Sequence, residues 1–227
     1  MTTASQTCFF YKSIKNLYIP QKATAIYFVK NYKFDKLHIG EKNMKKQNIV
    51  AVVGLCGAGK SEATQIFIKN GYERVYFGDA TFEELKRQNL EITPENERKI
   101  REELRAKGDM AIYAKLSENK IKQYFEAGKN VVIESMYSWS EYKYIKEIYG
   151  DNFKVLAIVV DKEKRVERLS KRPFRPLTPQ EVLKRDYTEI ENIEKGGPIA
   201  IADHFVSNNG SLADLEKDVQ DYINSLK

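Results

Sequence analysis

Residues 48–61 read Asn48-Ile49-Val50-Ala51-Val52-Val53-Gly54-Leu55-Cys56-Gly57-Ala58-Gly59-Lys60-Ser61, and Glu62-Ala63-Thr64-Gln65-Ile66-Phe67-Ile68-Lys69 follows. The apolar run over 49–53 is a buried strand. The eight residues from Gly54 to Ser61 are a full G-x-x-x-x-G-K-[ST] phosphate loop, and the amphipathic stretch after them is a helix. Glycines at 54, 57 and 59 let the backbone turn tightly and aim its N–H groups at phosphate oxygens. Lys60 adds a positive charge for the β- and γ-phosphates, and the Ser61 hydroxyl is placed to ligate Mg²⁺. Strand, loop and helix N-terminus together predict that the chain binds a nucleoside triphosphate.

Outward from this motif, strands alternate with helices. A short strand is expected over Tyr72–Phe77, ending at Gly78-Asp79, and then a mostly helical stretch over 80–127. Thr93 caps a helix there, with Pro94 in its first turn. Val131-Val132-Ile133 is a second apolar strand, closed by Glu134, and a helix is expected near 138–148. Lys154–Asp161 contains the longest apolar strand. Two helical arms flank Arg172-Pro173-Phe174-Arg175-Pro176, the second starting at Thr178-Pro179 and ending at Gly196-Gly197-Pro198. His204-Phe205-Val206 is a last short strand, and 212–226 a closing amphipathic helix. This order predicts an α/β fold with a parallel sheet covered by helices on both faces.

Of 227 residues, 38 are basic and 32 acidic, a formal net charge of +6. The excess is local. Residues 1–43 hold seven Lys and no Arg against Asp35 and Glu41, which leaves 31 basic and 30 acidic residues in 44–227. The larger part is nearly neutral, so no broad basic face for nucleic acid is implied there. Cys8 and Cys56 are the two cysteines and His38 and His204 the two histidines, too sparse for a disulfide framework or a His-rich metal site. No apolar run has membrane-spanning length, and a cytoplasmic location is expected. The first 43 residues mix eight aromatics with scattered lysines and have no clean periodicity. They fit neither a secretory signal nor an Arg-rich presequence. Native translation is expected to start at Met44, with 1–43 an extension and 44–227 the domain.

Further pieces of the chain bear a resemblance. Phe77-Gly78-Asp79, Arg165-x-x-Arg168-Leu169-x-x-Arg172, Arg185-Asp186 and Ala202-Asp203-x-x-Val206-x-Asn208-Asn209-Gly210-Ser211 follow the phosphate loop in order. Over residues 48–226 the chain resembles the adenylate-kinase-like group of phosphate-loop kinases, closest to dephospho-CoA kinase and to an uncharacterised archaeal family of similar layout. The resemblance implies an acceptor region at about 80–127 and a lid at about 165–190. It implies that Arg168 and Arg172, on one helix face with Arg165, reach the transferring phosphoryl when the lid closes. Arg185 is a further candidate, and Asn209 in the turn after the last strand would pass near the adenine. The ATP-binding set is then Gly54, Leu55, Cys56, Gly57, Ala58, Gly59, Lys60, Ser61, Glu62 and Asn209.

Asp79 and Glu134 stand at the carboxyl ends of two strands, where open α/β sheets place their ligands. One would assist Mg²⁺ through water and the other accept a proton from an acceptor hydroxyl. Two departures from the resembled kinases bear on the acceptor. Phe82 and Tyr137 occupy places where those kinases tend to carry arginines for an acceptor phosphate, although Arg98, Arg101 or Arg105 are available to substitute. Phe82, Tyr137 and Trp139 either line an aromatic acceptor pocket or pack the core. The expectation is an ATP·Mg²⁺-dependent kinase of a small nucleotide-like molecule, dephospho-CoA-kinase-like with a hydroxyl acceptor, and a monomer or small homo-oligomer. The alternatives are a nucleoside monophosphate kinase and a regulatory ATP-binding protein with weak ATPase activity. No N-K-x-D guanine motif occurs, and Glu134-Ser135 lacks the Asp-Glu pair of a mechanical AAA-type ATPase.

Overall fold

A computed structural model of the chain describes residues 47–106 and 109–227. The extension over 1–43, and the expected start at Met44, lie outside the described residues. Five parallel strands form one sheet: β1 (Ile49–Val53), β2 (Glu73–Tyr76), β3 (Val131–Glu134), β4 (Phe153–Val159) and β5 (His204–Ser207), in the order β2-β3-β1-β4-β5. The chain leaves β1 toward one edge and, after β3, crosses to the other side of β1. That crossing makes the crevice at the strands' carboxyl ends a ligand site in folds of this kind. The register sets Val52 opposite Glu134 and Leu156, and Tyr76 opposite Glu134. Glu134 therefore reaches the crevice beside the phosphate loop.

The central strands β1, β3 and β4 are buried on both faces, which is why their sequences are largely apolar, whereas the edge strands β2 and β5 carry polar, exposed residues. Ile49, Ala51 and Val53 point into one core with Tyr113, Ile121 and Ile145, carried by helices α4 (Ile112–Glu126) and α5 (Trp139–Tyr149). Val50 and Val52 point into the other with Phe67, Leu215 and Val219, from α1 (Lys60–Lys69) and α9 (Leu212–Ser225). Burying each large aliphatic side chain contributes about 1.5–3 kcal/mol, so the alternation along β1 ties both layers to the strand that carries the phosphate loop.

The stretch expected to form the acceptor region folds as α2 (Asp79–Arg87), α3 (Pro94–Ala106) and α4. Thr93 Oγ1 accepts from the Asn96 N–H at 3.2 Å, the cap expected from Thr93-Pro94. The region expected to be a lid consists of α6 (Lys162–Lys171), a loop, and α7 (Pro179–Ile193), whose start is a capping box of Thr178 and Glu181. Two boundaries differ from expectation. β2 covers 73–76 only. The second arm ends not at Gly196-Gly197-Pro198, which form the short helix α8 (Gly196–Ala200), but at Glu194, a non-glycine residue in the left-handed region at φ +53°.

Candidate active site

The phosphate loop is shaped from both sides. Gly57 sits at φ +81°, and a Cβ there would lie 2.9 Å from Leu169 Cγ on the lid helix α6. Gly59 sits at φ +95°, and a Cβ there would fall on the Asn208 amide. Only glycine fits both the backbone conformation and the space. Asn208 Nδ2 donates to the Ala58 carbonyl at 2.9 Å and so clamps the loop from the end of β5. Lys60 begins α1, and its Nζ donates to the Leu55 carbonyl at 2.9 Å, inside its own loop. Enclosure of the ammonium, followed by repulsion from Lys195, pulls the Lys60 pKa down from its ordinary value to about 7.

At the head of the crevice, Ser61 Oγ donates to Glu134 Oε1 at 3.1 Å, while Arg74 Nε and a terminal guanidinium nitrogen both reach Glu134 Oε2 at 2.6 Å. A hydroxyl and a carboxylate oxygen side by side at a phosphate loop suit Mg²⁺. That ion takes one or two protein oxygens, phosphate oxygens and waters. Among the described residues, no group of three or more His, Cys, Asp or Glu gathers as a metal cage, and Mg²⁺ bound through phosphates requires none. Asp79, the first residue of α2, lies apart from this pair. Its carboxylate meets Lys120 at 3.2 Å and is 43% exposed. Tyr76 lies close enough to feel both carboxylates.

The lid arginines have separate partners. Arg165 is buried, holding Asp186 on the returning arm at 2.6 and 3.1 Å and the Cys56 carbonyl at 3.1 Å. Arg168 donates to the Asn208 carbonyl at 2.9 Å, and Arg172 to the Arg175 carbonyl in the lid loop. Arg175 reaches Glu97 on α3 at 3.5 Å, so the lid loop touches the acceptor side. Asn209 pairs with Asp161 at 2.9 and 3.0 Å. With Lys164, Arg168 and Gly210 it lines an open polar cavity of about 360 Å³. Of the sequence-predicted residues, Lys60, Ser61 and Glu134 stand together at the crevice. Arg168 and Asn209 stand on the β5 side, Arg172 in the lid loop and Asp79 on the acceptor side.

A second group at the loop is absent from those expectations. Lys195 is buried with its side chain 3% exposed, bonded to Glu189 at 2.5 Å and lying 4.3 Å from the centre of the Tyr137 ring. Glu189 also accepts from Arg185 at 3.0 Å. Burial lowers the Lys195 pKa. Against its own burial, Glu189 is held below the usual carboxylate range by Lys195 and Arg185. Tyr137 hydrogen-bonds Ser135 at 3.0 Å, and burial pushes its phenol up to about 12. The three aromatics considered for one pocket separate: Tyr137 underlies Lys195, Trp139 stacks on Tyr142 with ring centres 5.0 Å apart, and Phe82 is exposed. The left-handed Glu194 turns Lys195 inward. In the sequence, no signal marks the turn at Glu194-Lys195.

Known proteins place these features in a family. A family model described as an AAA domain matches residues 50–195. A UPF0200 protein of Thermococcus kodakarensis is 32% identical over 181 residues, covering 78% of this chain and 97% of its own length. Among solved structures, TT1252 from Thermus thermophilus matches with a TM-score of 0.55 at 22% identity, over 81% of this chain and 100% of its own. A shikimate kinase from Aquifex aeolicus matches with a TM-score of 0.51 at 18% identity, over 78% of this chain and 96% of its own. At these identities the structural matches establish the fold, that of an α/β phosphate-loop NTPase of the kinase-like type.

Proposed function

The chain belongs to the UPF0200 family and to the AAA-domain family matched over residues 50–195, and on that premise we propose that it is an ATP-dependent phosphotransferase acting on a small nucleotide-like molecule. The observation that carries this reading is the Ser61–Glu134 contact of 3.1 Å beside Lys60, at the mouth of a crevice whose lid loop reaches acceptor helix α3. A lid that spans from the nucleotide loop to a separate helical region excludes water from the transferred group, which favours transfer over hydrolysis. Glu134 is followed by Ser135 rather than by a second carboxylate, which supports a kinase over a mechanical ATPase.

Each residue then has a task. The loop amides from Gly54 to Ser61, with Glu62 in the first turn of α1, hold the triphosphate, and Lys60 leaves the Leu55 carbonyl for its β- and γ-oxygens. Ser61 and Glu134 would hold Mg²⁺, which would supply charge neutralisation at the phosphates. Arg74 fixes the Glu134 carboxylate, and that engagement leaves Asp79, 43% exposed and paired with Lys120 at 3.2 Å, as the carboxylate on the acceptor side. We assign Asp79 as general base: it takes the acceptor hydroxyl proton as that oxygen bonds the γ-phosphorus and the bond to ADP breaks. Arg168 and Arg172 are assigned to phosphoryl contacts upon lid movement, and Asn209 to the base end of the nucleotide. From the sequence resemblance, dephospho-CoA is the best single acceptor.

Acceptor-dependent ADP production by the wild type, lost in Asp79→Asn with ATP binding retained, is the expected result. A second reading, a phosphate acceptor as in nucleoside monophosphate kinases, is favoured by one observation. Arg105 lies 4.7 Å from the Tyr113 ring centre on the acceptor side, and Arg101 acts on the same phenol. Those arginines would offset an acceptor's charge in place of the ones missing at Phe82 and Tyr137.

A further inference from the structure

The charges around Lys60 do not balance. Arg185 and Lys195 both bond Glu189, and Ile190 and Gly196, the residues next to Glu189 and Lys195, line one cavity with Leu55 and Ala58 of the phosphate loop. An ammonium with 3% exposure, packed over a tyrosine face and near a second lysine, is stabilised only by strong anionic partners. Glu189 is a single carboxylate shared with Arg185, so the cluster holds more positive than negative charge. A cationic pocket built against a phosphate loop is complementary to the charge of a terminal phosphoryl group.

We infer that Lys195 is a catalytic residue of the proposed phosphotransferase, a second lysine that binds the γ-phosphoryl group opposite Lys60. This rests on the phosphotransferase reading above and adds a contact to it. Glu189 holds the Lys195 ammonium at 2.5 Å, and the same ammonium sits over the Tyr137 ring, 4.3 Å from its centre. A phosphoryl oxygen entering beside Lys60 competes with Glu189 for the Lys195 ammonium, while Arg185 at 3.0 Å keeps Glu189 paired when Lys195 turns away. Arg165 is committed to Asp186 and the Cys56 carbonyl and is not available to a phosphoryl group. Lys195 precedes Gly196, which lines a cavity with Leu55 and Ala58 of the phosphate loop. Its position follows from Glu194 at φ +53°, which ends α7 and aims the next side chain inward. An ammonium with three donors on a flexible stem suits a contact that must shift from carboxylate to phosphoryl.

The test is calorimetric titration with Mg²⁺-ADP and with the non-hydrolysable Mg²⁺-β,γ-imido-ATP, on the wild type, Lys195→Met and the double variant Glu189→Gln/Lys195→Met. A lost charge-assisted contact to the terminal phosphoryl predicts about 10- to 100-fold weaker binding of the imido-ATP with ADP binding held within about threefold. The double variant should show the same selective loss. It removes the orphaned carboxylate, so it separates a missing phosphate contact from damage to the cluster's packing. Wild-type selectivity in both variants, or equal weakening of both nucleotides, would overturn the inference and leave the phosphotransferase reading intact. A wild type that binds neither nucleotide would remove that reading, and this one with it.

Discussion

Lys60 shows how one residue links folding to function. Its ammonium is enclosed against the loop and repelled by Lys195, and its pKa falls to about 7. The unfolded chain keeps that proton up to the ordinary value of 10.5. Between these limits the unfolded state holds more protons, so the Lys60 contribution makes the protein more stable as pH rises. Lys60→Met removes the contribution, and its stability advantage over the wild type should be largest near pH 7 and shrink toward pH 10 in urea titrations. A constant difference across that range would contradict the enclosed ammonium. Nucleotide phosphates restore the charge, so at pH 8 ATP binding should take up a proton. The binding enthalpy would then depend on the buffer's ionisation heat. Lys60→Ala should lower turnover by at least ~10²-fold, the scale of a lost electrostatic stabiliser, while its circular dichroism spectrum is kept. Near-normal turnover would remove Lys60 from the site.

At the scale of elements, the lid is two helices pinned at one buried point. Arg165 and Asp186, 21 positions apart, meet at 2.6 Å, and Arg165 also holds the Cys56 carbonyl. Breaking a buried pair by removing one partner typically costs about 3–5 kcal/mol. Arg165→Ala should lose that much in denaturant unfolding, whereas Arg172→Ala, on the exposed lid loop, should leave stability unchanged. Arg168→Ala and Arg172→Ala should lower kcat more than ATP affinity, because their best contacts form when the lid closes on the transition state. Equal losses in both constants would contradict that assignment. The shared face of Arg165, Arg168 and Arg172 was legible from their spacing of three and four. Their different partners were not: Asp186 and Asn208 come from elements distant in sequence, and periodicity carries no record of which arginine a fold buries. Lys195 was illegible for a backbone reason. Glutamate rarely adopts the left-handed region, so Glu194 gave no sign of the turn that sends its neighbour inward.

Across the molecule, the sheet was legible because both of its faces are covered. Runs such as Ile49–Val53 and Val155–Val159 are apolar without alternation, and they pair in parallel register with β1 between β3 and β4. The phosphate loop was legible because its chemistry is local, eight consecutive residues on one turn. The acceptor side was not, because it is assembled from α2, α3 and α4, whose side chains meet only in the folded chain: Thr81 with Tyr113 at 2.9 Å, Arg105 with Tyr113, Asp79 with Lys120. No helix among the described residues is long and apolar enough to cross a membrane. The central claim is that the crevice transfers a phosphoryl group from ATP to an acceptor hydroxyl, and the most direct measurement is the rate of ADP formation with and without acceptor. Dephospho-CoA, nucleosides, AMP and CMP should be offered in turn to the wild type and to Asp79→Asn. The account predicts that a hydroxyl acceptor accelerates ADP formation, that the phosphorylated product appears in equal amount, and that Asp79→Asn loses both while still binding ATP. ADP formation indifferent to every acceptor, or efficient phosphorylation of AMP or CMP with dephospho-CoA and nucleosides inert, would contradict it.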